Sequence, residues 1–250
     1  MRRFVIGDIH GCSKALRTLI QEIHPRSDDE LIFLGDYVDR GPDSKDVVEQ
    51  VIRLQSRCRV VALRGNHELM LLGVAIGGCD PDPWLRSGGH ATVASYGGSI
   101  SKIPEKHFQF FQSLKPAYET EREIFVHAMY DPDSGILTQS DELTYWTHLP
   151  MPLPPPHRSG KRVFIGHTPQ ANGEILYRAH LVGMDTYCFG GGYLSALNLD
   201  DDTVLQADRH GHLRRKPIEQ AIHLVFRSYR RCGYWVRVGR YWVRQQRRQR

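Results

Sequence analysis

Short apolar runs that end in polar clusters recur along the first half of the chain. Arg3-Phe4-Val5-Ile6-Gly7 predicts a strand that runs into Asp8-Ile9-His10-Gly11-Cys12. Ser13 reads as a helix N-cap, and Ala15, Leu16, Leu19, Ile20 and Ile23 then fall on one face of a helix closed by His24-Pro25. Leu31-Ile32-Phe33-Leu34 predicts a buried strand, and Gly35 after it frees the backbone to turn and expose Asp36. Val47, Val48, Val51, Ile52 and Leu54 mark a second helix, and Arg59-Val60-Val61-Ala62-Leu63 a third strand leading into Arg64-Gly65-Asn66-His67-Glu68. Strands alternating with helices predict an α/β fold.

From Asp8 to Asp36 is 28 residues and from Asp36 to Asn66 is 30, close to the roughly 30 residues of one strand-helix-strand unit. Crossovers return parallel strands to the same direction, so the three polar clusters should share one sheet edge. Residues 73 to 103 are glycine-rich and predict a loop with short helical pieces, in which Trp84 reads as a packing residue and His90 as a polar loop residue. A helix follows near 104 to 114, with Phe108, Phe111 and Leu114 on one face. Ile124-Phe125-Val126 predicts a strand delivering His127. Beyond an extended, proline-dense segment, Val163-Phe164-Ile165-Gly166 delivers His167-Thr168. The last strands fall near 193 to 199 and 203 to 207.

Composition narrows the class. At 250 residues, with 40% hydrophobic and 24% charged content, the chain can bury one core as an ordinary soluble domain. The apolar run after Met1-Arg2-Arg3 is too short for a signal peptide and no run reaches transmembrane length, so a cytoplasmic protein is expected. Cys12, Cys58, Cys79, Cys188 and Cys232 fall into no paired spacing, which predicts free thiols, with Cys12 a small buried residue. The net charge of +5 belongs to the end of the chain: residues 227 to 250 hold nine arginines and no acid, which leaves 24 basic against 28 acidic residues before them. The expected organisation is a catalytic domain over 1–220 and a basic, aromatic tail over 221–250. In the tail, Tyr234-Trp235-Val236-Arg237 recurs as Tyr241-Trp242-Val243-Arg244. Arginine interleaved with aromatics fits an anionic partner, while a basic extension with no specific partner is the simpler reading.

Asp8, His10, Asp36 and Asn66 together make a mixed N/O donor set without thiolate, suited to divalent manganese, iron or zinc. One Asp after a strand is more often a turn residue or cap than a ligand. Three clusters in register at one edge argue against that reading here.

Gly7-Asp8-Ile9-His10-Gly11, Gly35-Asp36-Tyr37-Val38-Asp39-Arg40-Gly41 and Gly65-Asn66-His67-Glu68 resemble, in order and spacing, the signature blocks of the phosphoprotein phosphatase family of calcineurin-like metallophosphoesterases. The Trp84…Gly88-Gly89…Tyr96-Gly97 stretch and Asp185-Thr186 with Gly190-Gly191-Gly192-Tyr193-Leu194 are similar to bacterial members, so the likeness covers about residues 1 to 210. It implies a β-sandwich flanked by helices, in α-β-β-α layers. It also implies two divalent ions, most simply Mn2+ with Fe or Zn as alternatives. Asp8, His10 and Asp36 would hold one ion, and Asp36, Asn66, His127 and His167 the other. A water shared by the ions would attack phosphorus directly, with His67 as general acid, Asp39 orienting it, and Arg40 and Asn66 holding phosphate oxygens.

Two positions depart from the pattern. Ala128-Met129 stands where the family usually has Ala-Gly. His148 stands where bacterial members commonly carry a second phosphate-binding arginine, and it is a weaker partner for a dianion. Either another arginine (Arg86, Arg158 or Arg162) substitutes, or His148 binds substrate there with reduced phosphate affinity. Arg64 reads equally as a backbone or salt-bridge partner and as a functional contact.

The expected activity is hydrolysis of phosphomonoesters, foremost phosphoserine or phosphothreonine in proteins, with phosphotyrosine also within reach. A hydrolase of dinucleoside polyphosphates such as diadenosine tetraphosphate is the enzyme alternative, although its first block commonly has Gln at the place of His10. A nucleic-acid-binding or scaffold protein with a vestigial metal site is the alternative of another class, and the intact ligand set argues against it.

Overall fold

The computed structural model describes residues 1–214, so the expectations for the 1–220 boundary and for the tail over 221–250, Cys232 included, lie outside the described residues. The elements follow in the order β1 (Arg3–Ile6), α1 (Ser13–Ile23), β2 (Glu30–Phe33), α2 (Ser44–Leu54), β3 (Arg59–Ala62), α3 (Asn66–Ala75), α4 (Pro81–Trp84), α5 (His90–Ser95) and α6 (Glu105–Ser113). After these come β4 (Ala117–Glu119), β5 (Glu123–Val126), β6 (Arg162–Ile165), β7 (Leu176–Tyr177), β8 (Leu181–Gly183), β9 (Leu194–Asn198) and β10 (Val204–Ala207).

Two mixed sheets result, in the orders β10-β9-β1-β2-β3 and β4-β5-β6-β8-β7. β1, β2 and β3 are parallel, with Phe4 opposite Leu31 and Leu31 opposite Val60. β5, β6 and β8 are likewise parallel, with Ile124 opposite Val163 and Val163 opposite Leu181. Side-chain alternation then sorts the layers. Val5, Ile32, Leu34 and Val61 of the first sheet meet Phe125, Phe164, Val182 and Met184 of the second in one buried cluster between the sheets. Burying each of these contributes about 1.5–3 kcal/mol. Phe4, Ile6, Leu31 and Phe33 point the other way and pack under helices α1, α2 and α6. Ile124, Val126, Val163, Ile165 and Leu181 on the outer face of the second sheet are covered by Tyr130, Ile136, Leu149 and Leu153, from a segment whose order comes from short helical turns at Ile136–Thr138 and Glu142–Trp146. This is the two-sheet sandwich that the signature blocks implied.

Three local expectations are corrected. Ser13 is the first residue of α1: Cys12 holds the N-cap place without a side-chain cap bond, and the Ser13 hydroxyl donates to Asp43 instead (3.4 Å). In α6 the buried face is His107, Phe110 and Phe111 rather than one led by Phe108. Asn66-His67-Glu68, read as the polar end of a strand, opens helix α3. Cys12, Cys58 and Cys188 are buried free thiols, and Cys79 is an exposed one. Among the described residues no helix is long and apolar enough to cross a membrane.

Candidate metal centre

Every strand that the sequence predicts to deliver a site residue ends at the same edge of the sandwich. Asp8 and His10 follow β1, Asp36 and Asp39 follow β2, Asn66 and His67 open α3 after β3, His127 follows β5 and His167 follows β6. All eight are buried. The turns that aim them are strained: His10, Asp36, Asp39, Arg40 and His167 have φ of 44°, 51°, 71°, 65° and 58°, a left-handed backbone that costs a non-glycine residue about 1–3 kcal/mol. Such conformations persist only where the surroundings over-determine them. Close packing does so here, since a Cβ on Gly65 would collide with the Asp36 carboxylate and one on Gly166 with that of Asp8.

Glu68 ties the loop after β2 to the start of α3. Its Oε2 accepts the N–H groups of Asp36 and Gly65 (both 3.0 Å), and its Oε1 those of Tyr37 (2.8 Å) and Val38 (3.2 Å). Burial and the Asp36 charge push this carboxyl up, while the N–H groups of Gly65 and Val38 oppose the rise. Four N–H donors on two oxygens favour the ionised form over a protonated one, and the hydrogen bonds decide. Glu68→Gln turns an NH2 group toward two of these N–H donors, and we expect it to lower stability by about 3 kcal/mol. Urea unfolding of the chelated protein checks this; an unfolding free energy within about 0.5 kcal/mol of wild type, the scatter of surface substitutions, would show that the loop is held otherwise.

Asp36 stands at the centre. Its Oδ2 lies 3.3 Å from His10 Nε2, and its Oδ1 lies 3.4 Å from His127 Nε2. His10, Asp36 and His67 form one compact group of donor atoms and Asp36, His127 and His167 another, so Asp36 belongs to both. Asp8 lies outside these groups but beside them. Its Oδ2 accepts the N–H of His167 (2.8 Å), and its Oδ1 has no partner among the described residues.

The ring nitrogens show which atoms are free. His10 Nδ1 donates to the Val38 carbonyl (3.0 Å), His127 Nδ1 to that of Leu34 (2.8 Å) and His167 Nε2 to that of Trp146 (3.1 Å). These bonds fix the tautomers and leave a lone pair on the opposite nitrogen. His127 Nε2 and His167 Nδ1 thus both face Asn66 Oδ1, at 3.1 and 3.2 Å, three acceptors with no proton among them. Acceptors converge this way around a cation. A neutral imidazole, an amide oxygen and carboxylates without thiolate suit a divalent first-row ion.

Protonation separates the four histidines. Burial drives His10 and His127 down, and drives His167 to about 3 with His127 adding to it, so all three are neutral imidazoles, each with a lone pair to offer. His67 moves the other way: burial would lower it, but Asp36 and a hydrogen bond to Asp39 raise it. Its Nδ1 donates to Asp39 Oδ2 at 2.7 Å. Asp39 is held in turn by Trp84 Nε1 (2.8 Å, to Oδ2) and by the Thr92 hydroxyl (2.6 Å, to Oδ1), while its own N–H reaches Ser44 and Thr92. Trp84 is therefore a packing residue, as read from the sequence, that also orients a carboxylate. Glu68, Thr92 and Ser44 were not singled out; only the place of Glu68 in its motif block offered a signal.

Arg40 is exposed at the mouth. Its guanidinium lies 4.6 Å from the Phe189 ring centroid and 3.0 Å from His10 Nε2. His148 stacks on His167, rings 4.5 Å apart and 23° from parallel, at an exposed rim position. The structure does not bring Arg162 or Arg158 to the site. Arg162 begins β6, whose far end delivers His167, and it lies over Tyr177 and pairs with Asp202. Arg158 is exposed, with its N–H on the Pro132 carbonyl. Arg86 pairs with Asp82 at 3.6 Å in solvent, although Gly88, two residues on, accepts the Arg40 N–H. Arg64 binds the backbone carbonyls of Gln112 and Leu114. His90 is exposed at the start of α5, and Met129 is buried.

Residues 1–231 match the family model described as calcineurin-like phosphoesterase. A curated relative from Janthinobacterium sp. (strain Marseille), named bis(5'-nucleosyl)-tetraphosphatase, symmetrical, is 28% identical over 82% of this chain and 96% of its own length. A protein of the same name from Photorhabdus laumondii is 46% identical over 31% of this chain and 28% of its own. Among solved structures, one provisionally described as a diadenosine tetraphosphatase covers 82% of this chain and 92% of its own, with TM-score 0.64 and 23% identity. A cold-active protein-tyrosine phosphatase from a Shewanella species covers 85% and 79%, with TM-score 0.61 and 15% identity. At these identities the two structures speak for the fold alone.

Proposed function

This chain belongs to the calcineurin-like phosphoesterase family, and from that premise we propose a two-metal hydrolase that cleaves a dinucleoside polyphosphate within its phosphate chain. Asp36 carries the chemical half of this reading: one buried carboxylate shared by two groups of lone-pair donors. The relative aligned over most of both chains, named a symmetrical tetraphosphatase, supports the substrate class over the phosphoprotein expected from the motifs.

In this reading Asp8, His10 and Asp36 hold one divalent ion and Asp36, Asn66, His127 and His167 the other, with Mn2+ the first choice. When bound, such a pair activates water and neutralises the phosphoryl oxygens. The protein does the rest. Arg40, steadied by the Phe189 ring, binds phosphate oxygens as they enter. Asn66 adds a polar contact, and His148 takes part at the rim in place of an arginine. His67 Nε2 faces the site and carries the proton for the leaving oxygen, with Asp39 holding the ring. The Phe189 and Tyr187 rings, edge to face at 4.8 Å, offer an aromatic surface beside Arg40, which suits a nucleoside.

The second reading, a phosphomonoesterase acting on phosphoproteins, is favoured by His10, which stands where dinucleoside polyphosphate hydrolases commonly have glutamine. Diadenosine tetraphosphate, p-nitrophenyl phosphate and a phosphothreonine peptide offered to the Mn2+-loaded enzyme separate the two. We expect ADP as the product of the dinucleotide, with kcat/KM on the order of 10-fold or more above either monoester, about 1.4 kcal/mol of transition-state preference. A preference of that size for the peptide would overturn the dinucleotide reading and install the second.

A further inference from the structure

Asp185 is 1% exposed, and its Oδ2 is a fully shielded carboxylate oxygen without a partner among the described residues. The Oδ1 of Asp8 is the other such carboxylate oxygen. Asp185 lies at the site edge because β8 runs parallel to β6 with Gly183 opposite Ile165, so the chain leaves both strands on the same side, one toward His167 and the other toward Asp185. The junction is tight. Met184 N–H donates to the Ile165 carbonyl (2.7 Å), the Asp185 carbonyl accepts from Gln170 N–H (2.8 Å), and a Cβ on Gly7 would run into the Met184 carbonyl. Gly7 therefore lets the residue before Asp8 press against the residue before Asp185.

Each carboxylate has one satisfied oxygen. Asp185 Oδ1 accepts the N–H of Tyr187 (2.9 Å) and Asp8 Oδ2 that of His167 (2.8 Å). Two buried carboxylates at one sheet edge, each with a shielded oxygen given no donor, are unfavourable until a cation lies within reach of both.

We propose that Asp185 is a further residue of the metal site, its Oδ2 turned to the ion on the Asp8 and His10 side and setting how tightly that ion is held. This inference rests on the two-ion reading but is independent of the substrate. A carboxylate just beyond the direct ligands typically carries 10- to 100-fold in metal affinity. The closing experiment uses the full chain stripped with chelator, Mn2+ titrated by calorimetry, and thermal melts with and without Mn2+. Asp185→Asn keeps the acceptor for Tyr187, and Asp133→Asn, at an exposed acid elsewhere, is the control.

Wild type and the control should take up two ions. Asp185→Asn should keep one class of site and weaken the other by about 10- to 100-fold, while melting in chelator no lower than wild type, because the substitution removes a buried carboxylate oxygen that has no donor. Two sites of wild-type affinity in Asp185→Asn would overturn the inference, as would a lower melt in chelator, which would make Asp185 a fold residue. Failure of wild type to bind any ion would overturn the two-ion reading itself.

Discussion

Asp36→Asn is expected to lower kcat on any phosphoester by on the order of 10³-fold or more, a loss of about 4 kcal/mol of transition-state stabilisation. The substitution keeps volume and shape, and the backbone of residue 36 stays where it is: its carbonyl accepts the N–H groups of Ile9 (3.0 Å) and His10 (2.7 Å), and its N–H is held by Glu68. What goes is the charge. Burial works to raise this carboxyl, yet His127, His67, His10 and His167 together hold it well below the ordinary carboxylate range, so it is the one fixed negative charge common to both donor groups. An asparagine also offers one acceptor where two are needed, and turns an NH2 toward His10 or His127. Calorimetry with Mn2+ should therefore show loss of at least one ion along with the loss of turnover, and excess Mn2+ should not restore it. Wild type treated with chelator should fall as far and recover on adding metal. Turnover above a tenth of wild type in Asp36→Asn, with both ions retained, would remove Asp36 from its central place.

The strand ends were legible in the sequence because each is an apolar run closed by polar residues, most with a glycine between, as at Leu34-Gly35-Asp36 and Ile165-Gly166-His167. Parallel strands then place those clusters on one edge, and the structure brings all the proposed ligands there. Helix α3 was missed for a physical reason. After Asn66-His67-Glu68 it reads Leu69-Met70-Leu71-Leu72-Gly73-Val74-Ala75, apolar all round, so it has no 3.6-residue rhythm to detect. Phe108 and Phe110 are two apart and both apolar, and only packing under α2 decides which is buried. Nothing in the sequence signals the bond from Trp84 to Asp39 across 45 positions. The histidine tautomers were equally hidden, because main-chain carbonyls of Val38, Leu34 and Trp146 set them. The left-handed turns at His10, Asp36 and His167 fall on residue types enriched at φ > 0, but only a small share of Asp and His adopt it, so type alone does not mark these positions. His148 reads as an arginine substitute by position, whereas its ring lies flat on His167.

His67→Asn should separate the two substrate readings as well as test the acid. The His67 ring is held from behind by Asp39 at 2.7 Å, and its Nε2 is left 4.0 Å from Asp36 Oδ2, inside the ligand groups but bonded to neither. Alone among the site's four histidines it is shifted toward the protonated form, against the pull of burial. Binding of two ions would draw off the Asp36 charge, and the Asp39 hydrogen bond would then sustain the imidazolium. An acid placed so matters in proportion to how badly the leaving oxygen needs a proton. A serine or threonine alkoxide needs one fully, and loss of the acid should slow a phosphopeptide by about 10²- to 10⁴-fold. A nucleoside diphosphate leaves as a phosphate oxygen, a group that titrates near pH 6, and departs with little help. For diadenosine tetraphosphate the same variant should lose no more than about 10-fold, since Brønsted dependence on a good leaving group is shallow. Calorimetry should show both ions retained, because the proposed ligands are untouched. Equal losses on the two substrates would sink the general-acid role and leave His67 as a support for Asn66. A loss confined to the peptide would tie the imidazole to the leaving oxygen and explain how a site built for one phosphoester can act on the other.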